Sequence, residues 1–583
     1  MAVWPHRRSA HVAQLPSLPA RLPLPNRRDL IALPLVFGLI YLVAWAGGRM
    51  SAPYVIGQPL PISLSPLALP GYALYTVLRM AAALGLSLLF SLVYATLAAK
   101  NRYAERILVP ALDVLQSVPI LGYLSITVAG FVALFPGSLW GVQMAVIFAV
   151  FTSQAWNMAF SLYHSLKTVP RDLREASATY QLSPWLRFWR LELPYAMPGL
   201  VWNTMMSVSG GWFFVVAAEA ITVGGHQIMV PGVGSYIALA IQQRNLGAIG
   251  WAILTMLLVI LLYDWLLFRP VVAWADKFKF ESSASSTAPE SAVLDFIKRT
   301  RIMRLLAVVP GVFWQASLRL GSRPKTFPEP ADQRVRRWPD LAFNLVLALA
   351  VVATLIEMWR IIPRDYGWGE VAHVFMLGGA TALRVFALVV LASVVWVPIG
   401  IWIGLRPRLA QRIQPLAQFL AAFPANLLFP LVVVGIVGFH LNVNIWVSPL
   451  MILGSQWYIL FNVVGGAAAL PSDLKEASRN LGLSGWLRFR RLLFPGVFQS
   501  YVTGAITASG GAWNASIVAE VVSWGNHTLV ATGLGAYIAQ ATARGDVRHV
   551  VLGTGVMALF VITINRFVWH RLYQFAETRW RLD

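Results

Sequence analysis

The sequence predicts an all-α polytopic membrane protein: two tandem six-helix domains, twelve transmembrane helices in all, related by a pseudo-twofold axis along the membrane normal. Three observations predict it. The 583 residues are 58% hydrophobic and only 12% charged, whereas a soluble domain carries about 25% charged residues. Uncharged runs of the roughly 20 residues needed to cross a bilayer recur along the chain. The landmarks of the first half then return, in the same order, in the second.

The spans read as follows. The first domain, 31–276, has uncharged runs at 31–48 and 80–99, two within 107–166 parted by the turn Phe135-Pro136-Gly137, then 194–218 and 246–263. The second, 338–583, has them at 341–362 and 385–405, two within 413–470 split near 440–444, then 495–519 and 550–565. Residues 1–30 form a basic tail rich in Arg and Pro. Ala44-Trp45-Ala46 resembles a signal-peptide cleavage site, but the length of the first run and a matching span beginning near Trp338 favour an uncleaved helix.

The repeat is explicit. Thr76-Val77-Leu78-Arg79 matches Thr381-Ala382-Leu383-Arg384, and Pro110 and Pro119 match Pro415 and Pro424. Ser209-Gly210-Gly211 matches Ser509-Gly510-Gly511, Glu219 matches Glu520, and Gly232-Val233-Gly234 matches Gly533-Leu534-Gly535. An even number of spans per half makes the two copies parallel. Lys and Arg set the orientation. Arg7, Arg8, Arg21, Arg27 and Arg28 precede the first span, Lys100, Arg102 and Arg106 follow the second, and Lys167, Arg171, Arg174, Arg187 and Arg190 follow the fourth. Residues 50–71 and 135–139 on the opposite side hold none. Both termini are therefore expected in the cytoplasm. The net charge of +22 is read as loops facing anionic lipid headgroups, not as nucleic-acid binding.

A cytoplasmic linker, 277–337, joins the halves. Its Ser/Ala-rich 282–289 reads as flexible. Residues 296–309, with Lys298, Arg299, Arg301 and Arg304, read as a basic amphipathic helix, either on the membrane surface or packed on the neighbouring domain. The absence of Cys excludes disulfides, thiolate metal sites and Cys nucleophiles. No paired carboxylates or nucleophile–base arrangement suggest catalysis, and neither a metal site nor a cofactor is expected.

The most polar pieces of these apolar regions are two copies of one segment: EASATYQLSPWLRFWRLELP at 175–194 and EASRNLGLSGWLRFRRLLFP at 476–495. Each reads as two short helices with a break. Gly482 takes positive φ and ends the first helix, and Ser484 caps the next. In the first copy Gln181 replaces the glycine, while Ser183-Pro184 supplies an N-cap and Pro at N1. Trp185 and Trp486 anchor the two. An ordinary interfacial hairpin is one account; a binding surface explains better why both copies keep the same side chains.

These segments resemble the cytoplasmic loop E-A-A-x3-G-x9-I-x-L-P of the membrane subunits of ATP-binding-cassette importers. Glu175-Ala176-Ser177 and Glu476-Ala477-Ser478 stand for its opening, and Pro194 and Pro495 for its close. Within that class the chain looks like a duplicated member of the nitrate/sulfonate/taurine-type permeases, with a permease domain in each half. The resemblance implies that each loop is a coupling helix inserting into a separate cytoplasmic ATPase, two copies of it. It also implies a periplasmic binding protein and a bacterial inner-membrane location. The chain has no Gly-Lys dipeptide and so no phosphate-binding loop of its own. Gln181 predicts an altered hinge in the first loop, leaving the second as the more regular element.

Arg79 and Arg384 are expected to pair with Glu219 and Glu520 at similar depth, because isolated charges there are costly. A brace between spans is favoured over direct anion binding by the arginines. The glycines of Ser209-Gly210-Gly211-Trp212 and Ser509-Gly510-Gly511-Ala512-Trp513 permit close helix approach. The resemblance implies in addition that this span lines the translocation path. Ser209, Ser509 and Asn514 would then offer hydrogen bonds to an oxyanion, and Trp212 and Trp513 would narrow a gate. Gln116-Ser117-Val118-Pro119 marks a kink in span three bordering that path. His226 and His527 read as solvated loop residues or contacts for the binding protein. Rival readings are a fused iron(III) or thiamine permease, and a duplicated secondary transporter, which would need charges or broken helices near mid-membrane.

Overall fold

The computed structural model describes residues 28–51, 53–54, 60–223, 226–278, 291–300, 315–318, 337–525 and 527–579. Among these, helices stand at each of the twelve expected positions. Seven are long and apolar enough to cross a membrane, or ten if each sharply bent pair counts as one span. Arg337–Asp365 and Phe494–Ala519 lie outside that set. The chain divides into two compact units, one of 1–45, 168–198 and 265–332, the other of 46–167, 199–264 and 333–583.

In the larger unit, Leu69–Lys100 packs along Trp140–Lys167, as Trp368–Gly404 packs along Gln456–Ala468. The close approach is made by small residues. Ser87 and Ser91 Oγ reach the carbonyls of Phe151 and Ala155 at 3.2 and 3.3 Å. Span three is broken in both halves. Arg102–Ser117 and Ile120–Leu134 meet at 91°, and Pro407–Ala422 and Ala425–Gly438 at 74°. Pro119 and Pro424 sit at the breaks; proline removes a donor and pushes the preceding residue out of the α region. The kink expected at 116–119 is thus a full corner. It is held from the other half: Asn514 Oδ1 accepts the Ile120 N–H at 2.8 Å. The exchange is returned where Asn426 Nδ2 donates to the Phe213 carbonyl at 3.4 Å.

The all-α reading missed two antiparallel hairpins. Ala220–Val223 pairs with His226–Met229, and Val521–Trp524 with His527–Val530. Their signal is local: runs with β-branched residues, joined in sequence through Gly224-Gly225 and Gly525-Asn526, favour a pleated strand and a tight turn. Ala220–Val223 packs on Ile120–Leu134 of its own half and on Leu534–Arg544 of the other. Val521–Trp524 packs reciprocally on Phe429–Gly438 and Val233–Gln242. His226 and His527 therefore open strands.

The smaller unit holds most of Asp29–Met50, the first Glu-Ala-Ser segment, and Arg269–Ala275 packed on Ala292–Arg299. The amphipathic helix expected from 296 starts earlier, where Ser291 caps Leu294, and ends at Arg299 with Thr300 extended. It packs on a neighbouring helix. The rest of that stretch, 301–309, and the Ser-rich 282–289 lie outside the described residues.

Candidate functional site

The expected ion pairs form, and each is the centre of a larger node. Arg79 Nη1 donates to Glu219 Oε1 at 2.6 Å with both side chains fully buried. All three guanidinium nitrogens are engaged, Nε with Gln143 Oε1 at 2.7 Å and Nη2 with the Pro231 carbonyl at 2.8 Å. Thr76 Oγ1 donates to Glu219 at 2.7 Å, and the Gly234 N–H gives to its other oxygen at 2.7 Å. A Cβ on Gly232 would fall on that carboxylate, and one on Gly234 would fall on the Val216 carbonyl oxygen. The Gly-x-Gly landmark is therefore a berth for a buried carboxylate. The second half repeats it with Thr381, Arg384, Glu520, Gly533 and Gly535. There Arg384 keeps 16% exposure and pairs at 3.1 Å, with Nη2 on Asn444 Oδ1 at 3.1 Å. Thr76, Thr381 and Gln143 were not picked out as site residues; the Thr-x-x-Arg spacing, one helical turn, was the available signal.

A cavity of about 430 Å³ lies in the larger unit between residues of both halves. Of the expected path residues, Gln116, Gly210, Gly510, Gly511 and Asn514 line it. Ser117, Ser209, Gly211, Trp212, Ser509 and Trp513 do not. Trp212 and Trp513 are 1% and 2% exposed, packed on Tyr263 and Phe560 at 5.3 and 6.2 Å. In this structure both are helix-packing residues. Ser209 Oγ donates to its own helix at the Met205 carbonyl, 2.9 Å, and Ser117 Oγ likewise to Asp113, 2.8 Å. Gly211 faces Met80 and Gln154, and Gly511 faces Ser455, as close-approach positions. Asn514 spends its oxygen on Ile120. The lining that sequence reasoning missed continues the periodicity of the expected residues: Asn203 and Ser207 lead to Gly210, and Thr503 and Thr507 to Gly510 and Asn514, every three or four residues on one helix face. Among the described residues, no Lys, Arg, Asp or Glu lines the cavity.

The two Glu-Ala-Ser segments fold alike. Arg171–Thr179 is followed by Pro184–Arg187, and Ser472–Asn480 by Gly485–Arg488. Both first helices close in the same 6→1 and 5→2 pattern. The Leu182 and Gln181 N–H groups donate to Ser177 and Ala178 at 3.1 and 2.9 Å, and those of Leu483 and Gly482 to Ser478 and Arg479 at 2.9 and 3.0 Å. Gln181 adopts φ 52 and Gly482 φ 67, so the altered hinge expected of Gln181 is not found. The side chain tolerates the left-handed turn at a cost of about 1–2 kcal/mol. The segments differ one step later. Ser183 Oγ accepts the Leu186 N–H at 3.2 Å, whereas Ser484 holds the N-cap position without a side-chain bond and Gly485 has φ 52. The first segment, not the second, is the better capped.

Glu175, Ala176, Glu476 and Ala477 are exposed, but Ser177 and Ser478 are buried, bonded to the carbonyls of Arg174 and Lys475 at 2.6 and 2.8 Å. What the turn presents is apolar: Tyr180 and Leu481 are 79% and 76% exposed, with Trp185 and Trp486 at 43% and 71%. Relieving the turn has a measurable result. Gln181→Gly is expected to gain up to about 1 kcal/mol net of the added chain entropy, read as slower hydrogen exchange at the Leu182 amide; faster exchange would contradict it.

The sequence model for the family described as binding-protein-dependent transport system inner membrane component matches residues 87–269 and 396–582. The chain belongs to that family. The two matches show the internal duplication. The bicarbonate transport system permease protein CmpB of Synechococcus elongatus is 27% identical over 180 residues, 30% of this chain and 61% of the relative. The nitrate import permease protein NrtB of Leptolyngbya laminosa is 25% identical over 233 residues, 40% of this chain and 80% of the relative. The glycine betaine/proline betaine permease protein ProW of Escherichia coli is 27% identical over 246 residues, 41% and 66%. The chain thus spans about 61% of the length of the bicarbonate relative. Membership and the apolar helices together make it a multi-pass membrane protein of this duplicated permease type.

Proposed function

We propose that the chain is the membrane-embedded subunit of an ATP-driven importer, with twelve spans, pseudo-twofold halves and both termini in the cytoplasm of a bacterial inner-membrane system. Two copies of a cytoplasmic ATPase would dock on the two Glu-Ala-Ser segments, and a periplasmic binding protein would deliver cargo to the cavity. The observation that carries this reading is the pair of matched helix–turn–helix elements, each exposing a large apolar residue before the turn and a Trp after it. Exposed apolar groups on an otherwise charged loop mark a docking surface. The nitrate and bicarbonate relatives favour a small anion as cargo. A betaine-like cargo is the second reading, favoured by the uncharged and aromatic cavity wall.

The double variant Glu175→Ala/Glu476→Ala is expected to lose copurification with its ATPase and cargo-stimulated ATP hydrolysis, each single variant retaining part. Wild-type ATPase binding and coupling in the double variant would remove the reading.

A further inference from the structure

We propose that the second half carries a binding site for a small oxyanion, separate from the cavity, formed by Arg384, Asn444 and Thr532. The two carboxylate nodes match in position but not in closure, and two substitutions account for the difference. Val142-Gln143 of the first half is matched by Val443-Asn444, and Pro231-Gly232 by Thr532-Gly533.

In the first half the guanidinium is enclosed. Arg79 gives Nε to Gln143, Nη1 to Glu219 and Nη2 to the Pro231 carbonyl, and is fully buried. Pro231 has no N–H and so makes no claim on the Gln143 oxygen. Thr532 has one, and donates it to Asn444 Oδ1 at 2.8 Å. Asn444, a methylene shorter than Gln, meets Arg384 at Nη2, 3.1 Å, where Gln143 meets Arg79 at Nε. A guanidinium carries five hydrogens. Among the described residues Arg384 gives one to Asn444 and one to Glu520, and its side chain keeps 16% exposure.

The same contacts orient the Asn444 amide. Both partners of Oδ1 are donors, a guanidinium and a backbone N–H, so the oxygen faces them and the Nδ2 hydrogens face away. Asn444 and Thr532 are both exposed, and among the described residues neither Asn444 Nδ2 nor Thr532 Oγ1 is taken by an acceptor. One cation and two neutral donors thus meet around Asn444 Oδ1. Glu520 lies fully buried beneath, and its oxygens also accept from Thr381 at 2.9 Å and the Ala536 N–H at 3.0 Å. Its charge is spread over internal donors while that of Arg384 reaches the surface.

An exposed guanidinium flanked by amide and hydroxyl donors suits a planar oxyanion of nitrate or carboxylate size. Arg384 directly precedes the uncharged run 385–405, which at 1.5 Å per residue covers roughly the 30 Å of a bilayer core. The site therefore lies at the edge of the apolar layer, where dissolved ions arrive. Asn444 precedes the Gln456–Ala468 helix and the second Glu-Ala-Ser segment follows it, which puts the two at opposite ends of that helix. None of the three residues lines the cavity, and the site does not depend on the importer reading.

The test uses the full chain in nanodiscs of zwitterionic lipid. Ile445→Cys, at a position 63% exposed beside Asn444, supplies the only thiol of a chain without Cys and carries a trifluoromethyl tag. Acetate, nitrate and acetamide, the neutral isostere of acetate, are titrated by fluorine NMR. Saturable shifts are expected with both anions, about tenfold or more tighter than with acetamide. Asn444→Asp keeps the oxygen that accepts from Arg384 and Thr532 but replaces the Nδ2 donors by a negative oxygen, and should weaken both anions about tenfold or more. Thr532→Val keeps the N–H, removes the hydroxyl and should weaken them about threefold. Thermal unfolding as in the tagged parent shows that a variant folds; should Asn444→Asp fail to fold, Thr532→Val decides. Shifts that do not saturate, acetamide matching acetate, or anion titrations unchanged in the folded variants would overturn the proposal.

Discussion

Glu219→Gln is expected to destabilise the protein by about 3–5 kcal/mol, the cost of leaving one buried partner of an ion pair without the other. The substitution is nearly isosteric, so the loss reports charge and not shape. Arg79 is fully buried and its nitrogens are pinned to Glu219, Gln143 and Pro231, which leaves it no route to solvent. The same change at the other node should cost much less. Arg384 keeps 16% exposure and holds Asn444 as a second acceptor, so water compensates part of the missing charge. Thermal unfolding of the two single variants, purified side by side, measures the difference. Equal stabilities, or a wild-type Glu219→Gln, would refute the brace.

Gly234→Ala is the second large effect, expected at about 1–3 kcal/mol or more from overpacking. The added carbon would fall on the Val216 carbonyl oxygen and within 3.0 Å of Glu219 Cβ. Backbone atoms of a packed helix have no rotamer by which to withdraw. Gly250→Ala is the control, because a Cβ there meets nothing within 4 Å and lies inside the Leu246–Tyr263 helix. That variant should gain about 0.5–1 kcal/mol from helix propensity alone. Opposite signs for the two glycines in one unfolding assay are the expected result; matching signs would sink the steric account.

Much of the architecture was legible because a bilayer imposes a coarse rule that composition obeys. The run 246–263 reappears as Leu246–Tyr263, and 495–519 lies within one residue of Phe494–Ala519. The ion pairs were legible for the same reason: a charge in an apolar run must find a partner. What failed were readings that depend on which side of a helix a residue faces. Trp212 directly precedes the cavity-lining Phe213 and Phe214 yet packs on Tyr263. Ser209 sits beside Gly210 yet bonds its own backbone. Identity at a landmark does not give azimuth, whereas the three- and four-residue spacing of Asn203, Ser207 and Gly210 does. The hairpins were hidden by size. Four-residue strands leave little periodicity, and the Gly-rich pairs between them read as loop. Gln181 shows a different limit, since a turn can impose left-handed backbone on a residue that merely tolerates it.

The carboxylate berth has a consequence for how this chain can drift. Its Thr, Arg, Glu and two glycines fit as one shape: losing Arg or Glu strands a charge, and a carbon added to either glycine runs into the carboxylate or into backbone. No sequence of one-residue steps leads away from it without passing through a poorly folded intermediate. The cavity wall is less tightly bound, since Gln116 stands where the other half has Ala421 without any charge being stranded. Two copies released from identity by duplication would therefore be expected to hold the berth in common and part company along the wall. That is what the two halves of this one polypeptide have done.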